Sequence, residues 1–141
     1  MSDTARFPFL PLAAGSGQSV FMPLLPIELR LPEGQAIQAH GLLDTGATVN
    51  VLPYSVGRRV GAVWERQDKI IPLAGNLASQ EARALLLVAR VGDFAPLQLV
   101  FAWTRSDDVP LLLGQVNFFH EFDANFFASQ RLFEIRPATK R

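Results

Sequence analysis

Proline and glycine divide this chain into short apolar segments. The 141 residues include 10 prolines and 10 glycines, and the apolar runs between them are short. Proline and glycine disfavour the interior of helices, whereas short apolar runs bounded by turn residues are typical of strands. The sequence therefore predicts a single all-β domain that contains one or two short helices.

The clearest strand pattern lies at 27–31, where Ile27, Leu29 and Leu31 alternate with polar residues. Turn residues at 32–34 and an apolar run at 36–43 complete a predicted hairpin. Glu81–Leu87 contains helix-forming residues, but the apolar alternation that continues to Val91 favours a strand. A second hairpin is predicted with arms at 69–73 and 77–91. Further strands are predicted at 49–52, 97–103, 111–114 and 132–135, and short helices at 53–60 and 115–122.

The segment 41–53 carries the chemistry. Asp44 stands between the apolar pair Leu42-Leu43 and a glycine turn, so its carboxylate is expected at a strand end, partly removed from water. Gly46 allows a sharp turn that leaves peptide groups open to a ligand. The hydroxyl of Thr45 can form a hydrogen bond to a neighbouring segment. An ordinary aspartate in a tight turn is the simpler alternative, because Asp-x-Gly turns are common in β proteins.

Two motifs carry a resemblance to a known family. Asp44-Thr45-Gly46-Ala47, followed by Leu111-Leu112-Leu113-Gly114 and a short helix, resembles the retropepsin-like (retroviral-type) aspartic proteases. The resemblance covers about residues 24–135 and implies a closed β-barrel lobe with a flap hairpin, one lobe per chain. It implies that Asp44 is catalytic and that Thr45, Gly46, Ala47 and Gly114 support its loop. The tip of the second hairpin would be the flap, so the expected substrate contacts are Thr48, Ala74, Gly75 and Asn76.

The chain departs from the retroviral pattern at two positions. Retroviral members place an acidic residue after the loop alanine and an arginine after the later glycine, and these two side chains pair. This chain has Thr48 and Gln115 instead. Because both partners are absent together, no buried charge is left unpaired. We therefore expect a different support for the loop, as in a cellular or bacterial single-domain member of the family.

A single Asp-Thr-Gly segment is half of a catalytic site. Two neighbouring carboxylates can share a proton, so that one accepts a proton from water while the other polarises the peptide carbonyl. The other aspartates lie in charged runs, turns or polar loops. An active aspartic endopeptidase would therefore be a homodimer with Asp44 of each chain at a twofold axis. The alternatives are a weakly active or inactive dimerisation or peptide-binding module of the same fold, and an unrelated β domain.

Composition and charge exclude other classes of function. Thirteen basic and thirteen acidic residues balance, which argues against a nucleic-acid partner. The chain has no cysteine, and neither His40 nor His120 lies in a metal-ligand spacing, so we expect neither a metal nor a cofactor. Charged residues make up 18% of the chain, against about 25% in an average domain. The low charge is consistent with a subunit interface and a peptide cleft.

The N-terminal segment is uncharged from Phe7 to Ile27. Four prolines and the segment Gly15–Ser19 interrupt this stretch, which disfavours a membrane-spanning helix; a signal peptide is the weaker alternative. We expect an irregular or extended arm at 1–22, with a flexible joint at 15–19, then a domain at 23–137 and a tail at 138–141. We also expect a cytoplasmic protein, with secretion or the periplasm as alternatives.

An aromatic cluster lies near the C-terminus. It consists of Phe118, Phe119, Phe122, Phe126 and Phe127. Core packing is the preferred interpretation, and a dimer interface is the alternative.

Overall fold

The computed structural model describes residues 3–13, 15 and 17–139. In this part of the chain the strands, in order, are β1 (Ala5–Pro8), β2 (Leu10–Ala13), β3 (Ser19–Met22), β4 (Leu24–Arg30), β5 (Ile37–Leu43), β6 (Asn50–Leu52), β7 (Ala82–Arg90), β8 (Leu97–Thr104), β9 (Leu112–Leu113), β10 (Phe122–Phe127) and β11 (Leu132–Pro137). The α-helices are α1 (Tyr54–Arg59) and α2 (Phe118–Glu121), and short 3₁₀ turns lie at Trp64–Arg66, Gly75–Leu77 and Ala128–Gln130.

Six of these strands close into a barrel in the spatial order β4-β5-β9-β6-β8-β7. The period-two pattern of β4 places Leu25, Ile27 and Leu29 in the interior, each at most 1% exposed. β4 pairs with β5 as the predicted antiparallel hairpin. β7 is a strand in which Leu85, Leu87 and Ala89 are buried in alternation. The predicted all-β barrel with short helices is therefore confirmed, and so is the choice of strand over helix for 82–87.

α1 packs on Trp103 of β8, and this packing depends on a glycine. A Cβ atom at Gly57 would lie 2.2 Å from both Cε2 and Nε1 of the buried Trp103. The same indole donates a hydrogen bond of 3.1 Å to the carbonyl of Tyr54, whose ring stacks on Trp103 at a centroid distance of 5.6 Å. Gly57 therefore lets the helix pack directly on the largest side chain of the core.

The second predicted hairpin is only partly formed. Residues 69–73 are not a strand; they meet β7 through the isolated bridge between Ile70 and Arg83 and two backbone hydrogen bonds, from Ala84 N to Lys69 O and from Ile71 N to Ala82 O. Pro72 has no N–H group with which to continue the ladder. The return strand accordingly begins at Ala82, not at residue 77 as predicted.

The N-terminal segment contains strands that the sequence analysis did not predict. β1 pairs with β11, which also pairs with β10, to form a three-stranded sheet. Arg6 donates two hydrogen bonds, of 2.6 and 3.0 Å, to Oε2 of Glu134, and Phe7 stacks on Phe133 at 5.5 Å. β2 and β3 form a separate two-stranded hairpin. Of the two alternatives expected for the arm, these residues are extended and not irregular, because proline is accommodated in strands at sheet edges.

Parts of three predicted segments lie outside the described residues. They are Ser16 of the predicted joint, Met1, Ser2 and Ala14 of the predicted arm, and Lys140 and Arg141 of the predicted tail. The boundaries of arm, domain and tail stay predictions. In the described ranges no helix is long and apolar enough to cross a bilayer.

The aromatic cluster divides between the core and the surface. Phe118 and Phe122 are buried and stack on each other at 5.0 Å, whereas Phe126 and Phe127 are 41% and 38% exposed. The helix predicted at 115–122 is shorter, and β10 begins at Phe122. Core packing therefore accounts for only part of the cluster.

We expect Gly57→Ala to lower the free energy of unfolding by about 1–3 kcal/mol, because its methyl group would overlap the Trp103 indole. Alanine is preferred to glycine within a helix by about 1 kcal/mol, so a loss must come from this overlap. Urea denaturation would measure the change. Gly15→Ala is the control, because no heavy atom lies within 4 Å of its added Cβ. An unchanged or raised midpoint in Gly57→Ala would contradict this packing.

Candidate active site

The end of β5 delivers Asp44 into a tight loop. Asp44 is half-buried, and its backbone N–H donates to the carbonyl of Leu113 at 3.0 Å. Its Oδ1 accepts a hydrogen bond of 2.9 Å from the N–H of Gly46, while its carbonyl accepts one of 3.1 Å from Ala47. The carboxylate is therefore fixed by the backbone of its own turn. Oδ2 has no hydrogen-bond partner among the described residues.

Gly114 supports this loop by close approach. A Cβ atom at Gly114 would lie 2.5 Å from the carbonyl oxygen of Val49 and 2.7 Å from that of Ala47, so no other residue fits without movement of the backbone. Directly beyond it, Gln115 N donates to Ala47 O and Val116 N donates to Thr48 O, both at 2.9 Å. The structure thus brings together the two motifs that the sequence analysis paired.

Asn50 is the residue that sequence reasoning missed. Its side chain is 0% exposed, and its Oδ1 accepts a hydrogen bond of 2.8 Å from Gly114 N. Its Nδ2 donates to Val100 O at 3.0 Å and to Asn117 Oδ1 at 3.2 Å. One amide therefore joins β6, β8 and the segment after β9. The sequence signal that could have identified Asn50 is its position as the one polar residue in the apolar run 49–52.

A neutral side chain occupies the position after Gly114. Gln115 Nε2 donates a hydrogen bond of 2.8 Å to the carbonyl of Thr45, so it holds the outer side of the loop. Thr48 is exposed. Within the described part of the chain, its side chain forms no hydrogen bond with the side chain of Gln115. Asp44 is the only charged residue between His40 and Arg58. Amides and backbone groups, with no ion pair, therefore support the loop.

A cleft of about 230 Å³ lies beside the loop. The loop residues Gly46, Ala47 and Thr48 contribute to its lining, as do four residues of the segment 73–77. The lining residues are mostly apolar: Gly46, Ala47, Thr48, Val49, Val51, Leu73, Ala74, Gly75, Leu77 and Leu112. Of the predicted substrate contacts, Thr48, Ala74 and Gly75 line this cleft; Asn76 belongs to the same 3₁₀ turn but does not line it. Asp44 lies at the base of the loop and not in the lining.

Neither histidine belongs to a cluster of potential metal ligands among the described residues. His40 and His120 are exposed, and within the described ranges no three His, Asp or Glu side chains are grouped to hold a metal ion.

Comparison with solved structures finds a retropepsin-like aspartic protease from Rickettsia conorii. The two share 13% sequence identity with a TM-score of 0.58, over 95% of this chain and 93% of that chain. This chain has a retropepsin-like fold. No protein-family model and no curated protein matches the sequence. The predicted fold is therefore confirmed, and the likeness extends to the fold alone.

We expect Asn50→Leu to lower the free energy of unfolding by about 2–4 kcal/mol. Leucine has a similar size but leaves Gly114 N and Val100 O buried without their partner, and each such loss costs about 1–3 kcal/mol. Chemical denaturation would measure the change. Asn125→Leu, at an exposed position in β10, is the matched control. Equal stabilities of the two variants would show that the Asn50 amide does not hold the loop.

Proposed function

We propose that the protein is a homodimeric aspartic endopeptidase in which Asp44 of each subunit activates a shared water molecule. The observation that carries the proposal is the geometry of Asp44. Its Oδ1 is fixed by Gly46 N–H at 2.9 Å and its backbone by Leu113, at the loop of a retropepsin-like fold. A carboxylate positioned by backbone groups is prepared for acid–base chemistry.

The chemistry requires a second carboxylate. In peptide hydrolysis the ionised group accepts a proton from water as the water oxygen attacks the carbonyl carbon, and the protonated group donates to the carbonyl oxygen. The tetrahedral intermediate then loses the amine as the C–N bond breaks and the nitrogen takes a proton. Two adjacent carboxylates share one proton because double ionisation places like charges together. The pair can therefore act as base and acid in the same step.

Two other carboxylates of the chain are engaged elsewhere. Asp107 Oδ1 accepts a hydrogen bond of 2.8 Å from Ser55 N, and Asp123 lies 3.6 Å from Arg136 in an ion pair. A second copy of Asp44 is the available partner, which requires a twofold axis close to the loop. The twofold axis and the approach of the two Asp44 carboxylates are part of the proposal.

The cleft supports a peptide substrate with apolar side chains. Leu73 and Leu77 pack against Val51 and Leu112, and all four residues line the cleft. We propose that 73–77 acts as the flap, with Thr48, Ala74, Gly75 and Asn76 contacting the substrate backbone. Extended peptides present such side chains alternately to two opposite sides.

A peptide-binding module without useful catalysis is the second candidate. It is favoured by the absence of a regular hairpin at the proposed flap: the described residues 69–73 meet β7 at the isolated bridge between Ile70 and Arg83, and 73–77 has one glycine, Gly75. A flap without a regular hairpin would bind peptides without enclosing the reacting bond. Catalysis by wild type would exclude this candidate.

We expect Asp44→Asn to reduce kcat/KM by about 10²–10⁴-fold or more, because an amide cannot accept the proton from water. Digestion of a peptide library, followed by mass spectrometry, would measure it. Asp93→Asn, in the turn between β7 and β8, is the control and should retain activity. Equal hydrolysis by wild type and Asp44→Asn would contradict an aspartic mechanism. Peptide binding without cleavage by wild type would favour the binding module.

Subunit mixing tests the shared site. When an equal amount of Asp44→Asn chain is equilibrated with wild type, random exchange should reduce activity by about half, because mixed dimers lack one carboxylate. The rate of peptide hydrolysis before and after equilibration measures this effect, with Asp93→Asn chain as the added control. Undiminished activity, with subunit exchange verified by mass spectrometry, would contradict a site built from two chains.

A further inference from the structure

Residues 44–47 form a tight turn whose central peptide contacts the carboxylate of Asp44. Ala47 N donates to Asp44 O at 3.1 Å, which closes a four-residue β-turn. The central peptide of this turn joins Thr45 to Gly46. Its N–H group, which belongs to Gly46, donates to Oδ1 of Asp44 at 2.9 Å. The orientation of one peptide group therefore decides whether the carboxylate receives this backbone hydrogen bond.

Glycine at the third position of the turn permits two orientations of the central peptide. A flip of this peptide exchanges the sides of the Thr45 carbonyl and the Gly46 N–H, and it requires positive φ at Gly46, as in a type II turn. Glycine adopts positive φ without steric cost. In the structure Gly46 has no positive φ, so the turn has the orientation that directs the N–H at Asp44. Glycine alone does not select that orientation.

Gln115 holds the other end of the same peptide. Its Nε2 donates to Thr45 O at 2.8 Å. Because a trans peptide is planar, its C=O and N–H groups point in opposite directions, and a donor on the carbonyl also fixes the direction of the N–H. A flip would turn the Thr45 carbonyl away from Gln115 and break this bond. The two hydrogen bonds thus form a chain from Gln115 through one peptide to the carboxylate, in which each bond polarises the next.

The backbone of Gln115 is fixed independently of its side chain. Gln115 N donates to Ala47 O, and Val116 N donates to Thr48 O, both at 2.9 Å. The main chain on both sides of the Gln115 Cα is therefore joined to the segment that follows the turn. A side chain that extends from a fixed backbone has less conformational freedom to lose when it forms a hydrogen bond. Gln115 can accordingly hold the central peptide although its side chain is exposed.

We propose that Gln115 is a positioning residue that selects the orientation of the central peptide in which Gly46 N–H supports the Asp44 carboxylate; this inference rests on the proposed peptidase function. Without the Gln115 amide, the flipped turn becomes populated and leaves Oδ1 without its backbone donor. A misdirected carboxylate slows the chemical step, in which a misplacement of about 1 Å can cost about a hundredfold in rate. The apolar cleft still binds the substrate. The expected signature is a lower kcat at a nearly unchanged KM.

A first test separates kcat from KM in peptide hydrolysis. Gln115→Met keeps the length of the side chain but has no donor, and it should lower kcat about tenfold with KM changed by less than about twofold. Gln115→Arg, the residue type that retroviral members carry here, supplies N–H donors again and should recover kcat to within about threefold of wild type. Wild-type kcat in folded Gln115→Met would overturn the proposal, as would a loss that Gln115→Arg does not recover.

The matched control is another exposed glutamine. Gln38 lies near the start of β5, at the opposite end of this strand from Asp44, and its Nε2 donates to Glu28 Oε1 at 3.4 Å. Gln38→Met also removes an exposed amide hydrogen bond and should keep wild-type kcat and KM. Circular dichroism verifies that each variant is folded. If Gln115→Met does not fold, Gln115→Glu takes its place, because an ionised carboxylate has no donor either.

A second test observes the central peptide itself and needs no activity. In a flipped turn the Gly46 amide proton lies next to Hα of Thr45 and far from the Thr45 amide proton. In isotope-labelled protein, the ratio of the amide–amide to the Hα–amide nuclear Overhauser effect between Thr45 and Gly46 should therefore fall at least about twofold in Gln115→Met. The ratio should keep its wild-type value in Gln38→Met. An unchanged ratio in Gln115→Met would overturn the proposal.

The two proposals fail in distinguishable ways. A wild type that cleaves no peptide, with an Overhauser ratio that falls in Gln115→Met, keeps the role of Gln115 in orienting the turn and removes the peptidase function. A wild type that cleaves peptides, and that Gln115→Met matches in kcat and in the Overhauser ratio, keeps the function and overturns the role of Gln115.

Discussion

The close approach of Gly114 to the carbonyl oxygens of Ala47 and Val49 is the contact on which the rest of the structure depends. It lets β9, only two residues long, lie between β5 and β6, where it pairs with both and closes the barrel. The strand next to Gly114 also receives the N–H of Asp44. Barrel closure and the placement of the carboxylate therefore have one physical origin, and a side chain at position 114 would disturb both.

The support around this contact is polar but uncharged. Asn50, Gln115 and Asn117 provide amides that do not titrate near neutral pH, and their hydrogen bonds are less sensitive to salt than an exposed ion pair would be. Asp44 is thus the one ionisable group in its loop. The chemistry of a carboxylate pair at this position would be governed by the two carboxylates themselves and not by a neighbouring ion pair.

Local patterns were sufficient for the barrel but not for the terminal sheet. The alternation in β4 and β7 and the two glycine-containing motifs predicted the barrel strands and the loop, because each signal lies within a few residues. β1 depends on pairing with the distant β11, which no local pattern reveals. β10 pairs with its neighbour β11, but the sequence analysis assigned its phenylalanines to a packed cluster and not to a strand. Asn50 was missed because burial and its partners, Gly114, Val100 and Asn117, arise only when three separate segments meet.

The pairing of β1 with β11 also constrains how the protein is made. Ala5 lies opposite Ile135, so β1 can take its place only after β11 has been synthesised. Contacts between such distant residues form slowly. β1 therefore stays without its partner strand while the segments between them are synthesised, whereas β2 with β3 and β4 with β5 pair locally. The unpaired β1 is open to association with other chains until β11 is available.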